Sequence, residues 1–212
     1  RISIQSPAMQ VLGIVGGVAS GKTLASGIFS DLGAVVLNAD EIGHQVLRDP
    51  EILEAAQLRW GDGILDTNGQ IDRRRVAAIV FADTPAAAGE LQFLENLTHP
   101  QIARHLRKRL DHLAAGGTKQ VVLDAALLLK TAWRELCDVI VFLETPYEIR
   151  QKRASARGWH SNELGRREAR QLPLDFKRSE ADLILDNSGT PEQLRQEIQR
   201  HWDSLFTPNT PK

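Results

Sequence analysis

Sulfur is scarce in this sequence, and the scarcity narrows the chemistry at once. A single cysteine, Cys137, among 212 residues excludes an intramolecular disulfide framework and a cysteine-based zinc cluster. It lies beside the apolar run Val139-Ile140-Val141-Phe142, so a small core residue is its expected role. No stretch approaches the ~20 apolar residues of a membrane span, and the first ten residues carry no apolar segment of the secretory type. A soluble, cytoplasmic protein without membrane contact is the expectation. Charge of one sign is not in excess either: 26 Lys and Arg stand against 27 Asp and Glu, a formal net charge of -1. No general field draws in nucleic acid, so any basic site has to be local. Repeats of ~20–50 residues and low-complexity tracts are missing too. The length suits one globular unit with subdomains.

What the sequence does have is Gly16-Gly17-Val18-Ala19-Ser20-Gly21-Lys22-Thr23, the pattern G-x-x-x-x-G-K-[ST], placed directly after the apolar run Val11 to Val15. Glycine opens backbone conformations closed to other residues, so that successive N–H groups can wrap the oxygens of a polyphosphate. Lys22 is expected to reach the β- and γ-phosphates and Thr23 to offer its hydroxyl to Mg²⁺. The helix opening near Gly21 adds the positive end of its dipole. A nucleoside triphosphate site is the consequence.

Five short apolar runs alternate with helical stretches: Val11–Val15, Ala34–Leu37, Val121–Leu123, Val139–Phe142 and Leu183–Leu185. Continuous apolar strands with helical crossovers predict a parallel sheet covered on both faces, with ligands at the carboxyl ends of the strands. The first helix, Thr23 to Leu32, stops at Gly33. Two stretches interrupt the alternation. Residues 49–115 form a long helical insertion, expected to hold a second substrate. Residues 150–178 hold Arg150, Lys152, Arg153, Arg157, Arg166, Arg167, Arg170, Lys177 and Arg178, a basic helical lid suited to phosphoryl transfer, or else a solvated face paired with Glu163, Glu168 and Glu180. The nucleotide-binding core is then 9–48, 116–149 and 179–206, with termini 1–8 and 207–212 expected to be flexible.

Three further residues carry two readings each. Asp40, after the second strand, is a general base for an attacking hydroxyl or an N-terminal helix cap. Asp124, after the third strand, is a Walker-B-type acid that touches Mg²⁺ or a turn residue. His99, before Pro100, contacts substrate phosphate or closes a helix end. Asp66-Thr67-Asn68-Gly69 matches the D-x-x-G of a GTPase by letters, but no N-K-x-D segment follows it.

Taken together, these segments resemble the dephospho-CoA kinase family from Val11 to about Leu205. The match is colinear through the phosphate loop, Leu32-Gly33-Ala34, Asn38-Ala39-Asp40, Asp72-Arg73, Leu97-Thr98-His99-Pro100 and Leu123-Asp124 with Leu127-Leu128. It continues through Arg153, Arg157, Arg167, Gln171 and Lys177 to Ala181-Asp182 and Asp186-Asn187-Ser188-Gly189. The resemblance implies a P-loop NTPase-type α/β fold, a five-stranded parallel sheet flanked by helices. It also implies transfer of the ATP γ-phosphoryl group to the ribose 3′-hydroxyl of dephospho-CoA, with Mg²⁺. Nucleotide binding would fall to Gly17, Val18, Ala19, Ser20, Gly21, Lys22, Thr23, Leu24, Arg153, Arg157 and Asn187, the last near adenine. Dephospho-CoA would meet Asp40, His44, Asp72, Arg73, His99, Asp124 and Leu127. Catalysis would rest on Asp40, Lys22 and Arg153, with Thr23 and Asp124 toward the metal.

Departures from the family pattern bear on substrate or metal positioning. Asn38 stands where the family usually has Asp, His44 where it has Arg, and Ala126-Leu127-Leu128-Leu129-Lys130 where it has P-L-L-x-E. His44 offers a shorter, titratable cation in place of a permanent one. Another small-molecule or nucleoside-monophosphate kinase, and a non-catalytic nucleotide-binding or CoA-sensing protein, are the competing expectations. A monomer is the default.

Overall fold

A computed structural model describes residues 9–160 and 162–206; the expectations for 1–8 and 207–212 lie outside the described residues. The chain divides into two compact units, one of residues 1–38 with 110–212 and one of 39–109.

The first unit is built on strands β1 (Gln10–Gly16), β2 (Val35–Asn38), β3 (Gln120–Asp124), β4 (Val139–Glu144) and β5 (Leu183–Asp186). They form one sheet in the order β2-β3-β1-β4-β5, and every pairing is parallel. β1 is central and buried along its whole length, which is why it reads as an apolar run from Val11 to Val15. Helices α1 (Lys22–Asp31) and α9 (Pro191–Leu205) belong to the same unit. α1 ends where Gly33 takes φ +107°, a left-handed conformation that costs glycine nothing. A capping box formed by Thr190 and Gln193 opens α9, satisfying N–H groups that the first turn leaves without partners. Leu12, Ile14, Phe29, Val122, Val141, Leu185, Leu194 and Ile198 share one core. Trp202 stacks on Phe29 at 6.1 Å between ring centres. Cys137 is buried, as expected of a core residue.

The lower ends of two strands close by the same device. Asp138, just before β4, donates its backbone N–H to Val11 O at 2.8 Å and accepts the Val11 N–H on its carboxylate at 2.7 Å. Asp182, just before β5, repeats both bonds with Ile140, at 2.8 and 2.7 Å. Each carboxylate therefore completes the hydrogen-bond ladder where the backbone of its own strand has run out.

The second unit contains α2 (Ala39–Val46), α3 (Pro50–Trp60), α4 (Arg73–Val80) and the greater part of α5 (Ala87–Ala115). Ala56, Ile64, Val76 and Val80 form its core, with Trp60, Leu91 and Leu94 packed against them. It includes α2, ahead of the expected start at residue 49: Arg109 of α5 donates to Gln45 Oε1 of α2 at 3.0 Å, and His105 of α5 lies 3.5 Å from Asp49, which precedes α3. His99 does not close a helix end. α5 runs through it with Pro100 inside, where the proline supplies no N–H to the carbonyl one turn earlier. Asp66 holds a tight turn by accepting from the N–H groups of Asn68 and Gln70 at 2.8 and 2.9 Å, so this D-x-x-G is an Asx-type turn.

Candidate functional site

The loop between β1 and α1 contains the strained backbone of the first unit. Ala19 has φ +61° and Gly21 φ +96°. Ala19 is a residue with a Cβ in the left-handed region, a cost of about 1–2 kcal/mol that recurs where a loop must turn its N–H groups inward. Gly21 is obligatory twice over, since a Cβ there would also lie 2.5 Å from the side-chain nitrogen of Asn187. At Gly17 a Cβ would meet the Arg150 guanidinium at 3.0 Å. α1 then opens at Lys22, with no side-chain cap on its first turn, leaving N–H donors for an anion.

One carbonyl anchors this loop. Ser20 O accepts from Thr145 Oγ1 at 2.9 Å, from Arg153 Nη1 at 2.9 Å and from Asn187 Nδ2 at 2.6 Å. Its hydroxyl is buried without a partner among the described residues. Arg153 also donates to Asn187 O at 3.1 Å. Burial, and then the nearby Arg157, hold the Arg153 guanidinium below its ordinary pKa. The side chain of Asn187, expected near adenine, is 1% exposed and engaged with the loop, so the structure gives it a positioning task. Arg157 is exposed and lies 6.0 Å from the Trp159 ring, which Arg167 covers at 4.2 Å.

The stretch 150–178, expected as a basic helical lid or else a solvated face, falls on α6 (Tyr147–Ala156), α7 (Glu163–Glu168) and α8 (Leu174–Ser179), and two of its cations are buried. Arg150, 4% exposed, donates to Thr145 O at 3.0 Å and pairs with Glu168. Lys177, 5% exposed, donates to Gly16 O at 3.1 Å and to Gln171 Oε1 at 2.6 Å. Burial, with Lys22 and Arg150 adding to it, pushes its ammonium down to about 8. Helical spacing sets Arg150 on one face with buried Ala154 and Lys177 with half-buried Leu174, too weak a signal to mark either cation as buried.

Lys22, Gly16, Leu127, Gln171 and Lys177 line one cavity, which brings the expected Lys22 and Leu127 together. Thr23 and Leu24 are exposed at the start of α1. Asp124 ends β3 in register with Ile14 of β1 and Asn38 of β2, and it accepts from Ser26 Oγ of α1 at 3.1 Å. The acid and the helix that follows the phosphate loop are thereby joined.

In the second unit, Asp40 is exposed in the first turn of α2, two residues beyond β2. His44, Arg48, Asp66, Asn68, Gln70 and Arg73 line a groove. Burial first, then Arg73, lowers the His44 pKa against the pull of Asp40 and Glu41. Asp72 caps α4, accepting from Arg74 N at 2.8 Å. His99 is half-buried in α5.

The family model described as dephospho-CoA kinase matches residues 10–193. A dephospho-CoA kinase of Rhodopirellula baltica is 32% identical over 205 residues, covering 97% of this chain and 95% of its own. One of Geobacter sulfurreducens is 34% identical over 200 residues, covering 93% of this chain and 100% of its own. The crystal structure of TT1252 from Thermus thermophilus superposes with a TM-score of 0.78 at 28% identity, over 93% of this chain and 98% of that one.

Proposed function

The chain belongs to the dephospho-CoA kinase family, and we propose how its own residues carry out that reaction. It is an ATP-dependent phosphotransferase that moves the γ-phosphoryl group to the ribose 3′-hydroxyl of dephospho-CoA, giving CoA and ADP. The observation that carries the reading of the residues is the phosphate loop, with left-handed Ala19 and Gly21 ahead of an uncapped helix that opens on Lys22.

Phosphoryl transfer asks little covalent chemistry of a protein and much positioning and charge. The amides from Gly17 to Thr23 and the Lys22 ammonium hold the β- and γ-phosphates. Arg153, bonded to the loop at Ser20 O, supplies positive charge beside it. Asp40 accepts the proton of the 3′-hydroxyl as that oxygen attacks phosphorus and the bond to the ADP oxygen breaks. Arg48 and Arg73, with titratable His44 beside them, give the second unit a cationic groove for an anionic acceptor. Asp72, His99 and Leu127 complete the acceptor contacts that the resemblance implies.

Mg²⁺ fits the residues present. Among the described residues no group of three or more His, Cys, Asp or Glu could hold a metal ion, whereas Mg²⁺ on a nucleotide takes few protein ligands and keeps phosphate oxygens and water. Thr23 and Asp124 are the residues that would hold it, and its chemistry there is to neutralise phosphate charge. Among the described residues no helix is long and apolar enough to cross a membrane. A cytoplasmic monomer that binds no nucleic acid is the proposed setting.

The test is ADP release with ATP, Mg²⁺ and dephospho-CoA, run beside AMP, adenosine and no acceptor, with the product identified by mass. CoA formed only with dephospho-CoA supports the reading. ATP binding with no phosphorylated product, or equal turnover with AMP, overturns it.

A further inference from the structure

Two cations are sealed against the phosphate loop, and their surroundings differ. Arg150 has a counter-charge in Glu168. Both bonds of Lys177 end on neutral oxygens, Gly16 O and Gln171 Oε1. The charged groups that face it are Lys22 from α1, Arg150 from α6, Lys130 on the wall of the shared cavity and Glu168 from α7. Of these, the carboxylate is already engaged by Arg150. A buried cation among cations is unfavourable unless an anion completes the site.

Lys177 also acts on backbone geometry. Gly16 is the last residue of β1, and its carbonyl shares a planar trans peptide with the N–H of Gly17, the two pointing to opposite sides. Fixing the carbonyl toward Lys177 fixes the first amide of the loop on the other side.

We propose that Lys177 is a positioning residue of the nucleotide site: it orients the Gly16–Gly17 peptide and holds a buried positive charge that the polyphosphate of the nucleotide completes. This rests on the reading of the loop as the ATP site. Gln171, six residues earlier, steers the ammonium toward Gly16. Binding of ATP then favours the charged form of Lys177, and by linkage the charged form favours ATP.

Titration calorimetry of ATP binding at pH 8, in two buffers of different ionisation enthalpy, reads this directly. Burial holds the ammonium down to about 8, so the parent takes up a fraction of a proton when ATP binds at that pH. Lys177→Met loses that uptake, and its KM for ATP rises on the order of tenfold, the equivalent of about one pKa unit, with kcat less affected. Its melting temperature does not fall, because an apolar side chain of similar length replaces a buried charge. Should Lys177→Met fail to fold, Gln171→Leu gives the second reading: KM for ATP rises while proton uptake persists. Proton uptake and KM unchanged in Lys177→Met, or KM unchanged in Gln171→Leu, overturn the inference. A parent that binds no ATP overturns the kinase reading with it, whereas a parent that makes CoA beside an indistinguishable Lys177→Met overturns this inference alone.

Discussion

The side-chain amide of Asn187 donates to the carbonyl of Ser20 at 2.6 Å across 167 positions of sequence, so the turn after β5 holds the phosphate loop in place. Asn187→Ala leaves two donors on that carbonyl and is expected to lose about 1 kcal/mol of stability. Asn187→Asp sets an acceptor against an acceptor and is expected to lose more, with a larger rise in KM for ATP. Thermal melts and initial rates of the two variants decide it; an Asp variant as stable and as active as the parent means the bond does not form.

Gly21→Ala tests the same contact from the loop. With φ at +96° and a Cβ only 2.5 Å from the Asn187 nitrogen, the substitution is expected to cost about 1–3 kcal/mol and to abolish measurable ATP binding. Combined with Asn187→Ala, the two losses of stability should sum to less than their separate values, because the double variant removes the collision. Strict additivity in denaturant unfolding would contradict the geometry.

Asp40→Asn keeps the shape of the side chain and removes the proposed base. The expected result is a fall in kcat on the order of 10²–10⁴ with ATP affinity little changed. Steady-state kinetics beside ATP titrations separate the two quantities, and near-parental turnover rules out general-base catalysis by this residue.

His44, in its proposed place at the acceptor groove, is expected to give that side a pH dependence. Burial and Arg73 place its pKa below 6.5, so it is largely neutral at pH 7 and gains charge only on acidification. Affinity for the anionic acceptor is expected to strengthen as pH falls through that lowered value, whereas His44→Arg, permanently charged, removes this dependence. KM for dephospho-CoA, followed from pH 8 downward in both proteins, is the measurement. Parallel profiles argue against a role for the His44 charge.

Cys137 is buried, and burial pushes its thiol up to about 12. Only the thiolate attacks disulfide reagents, so the folded protein should be inert to Ellman's reagent at pH 8 and release one equivalent on unfolding. Rapid labelling of the native protein would show that this part of the core opens.

The sheet was legible because each strand is a buried apolar run. Its strand ends were less so: Asn38, Asp124, Glu144 and Asp186 extend the ladders, and ladder bonds belong to the backbone whatever the side chain. The loop was legible because glycine spacing and Lys22 encode one geometry. Lys177 and Arg150 were not, since charged residues at helical spacing normally mark a solvated face. What takes them inside is a set of carbonyl acceptors, Gly16 O for Lys177 and Val18 O for Arg150, which lie 161 and 132 positions away. Asp72 shows the converse, a motif residue whose visible task is a helix cap.

The matched closures at Asp138 and Asp182 sort the sheet into two ends with different tolerance for change. Aspartate is short enough to mimic a peptide carbonyl there, and glutamate or asparagine would alter either its reach or its charge, so these two strand starts share one chemical solution. The upper rim, where Gly16, Asn38, Asp124 and Asp186 end their strands, carries no such repeated closure among the described residues. A library that diversifies nucleotide or acceptor preference therefore belongs at the upper rim, with both lower aspartates held constant.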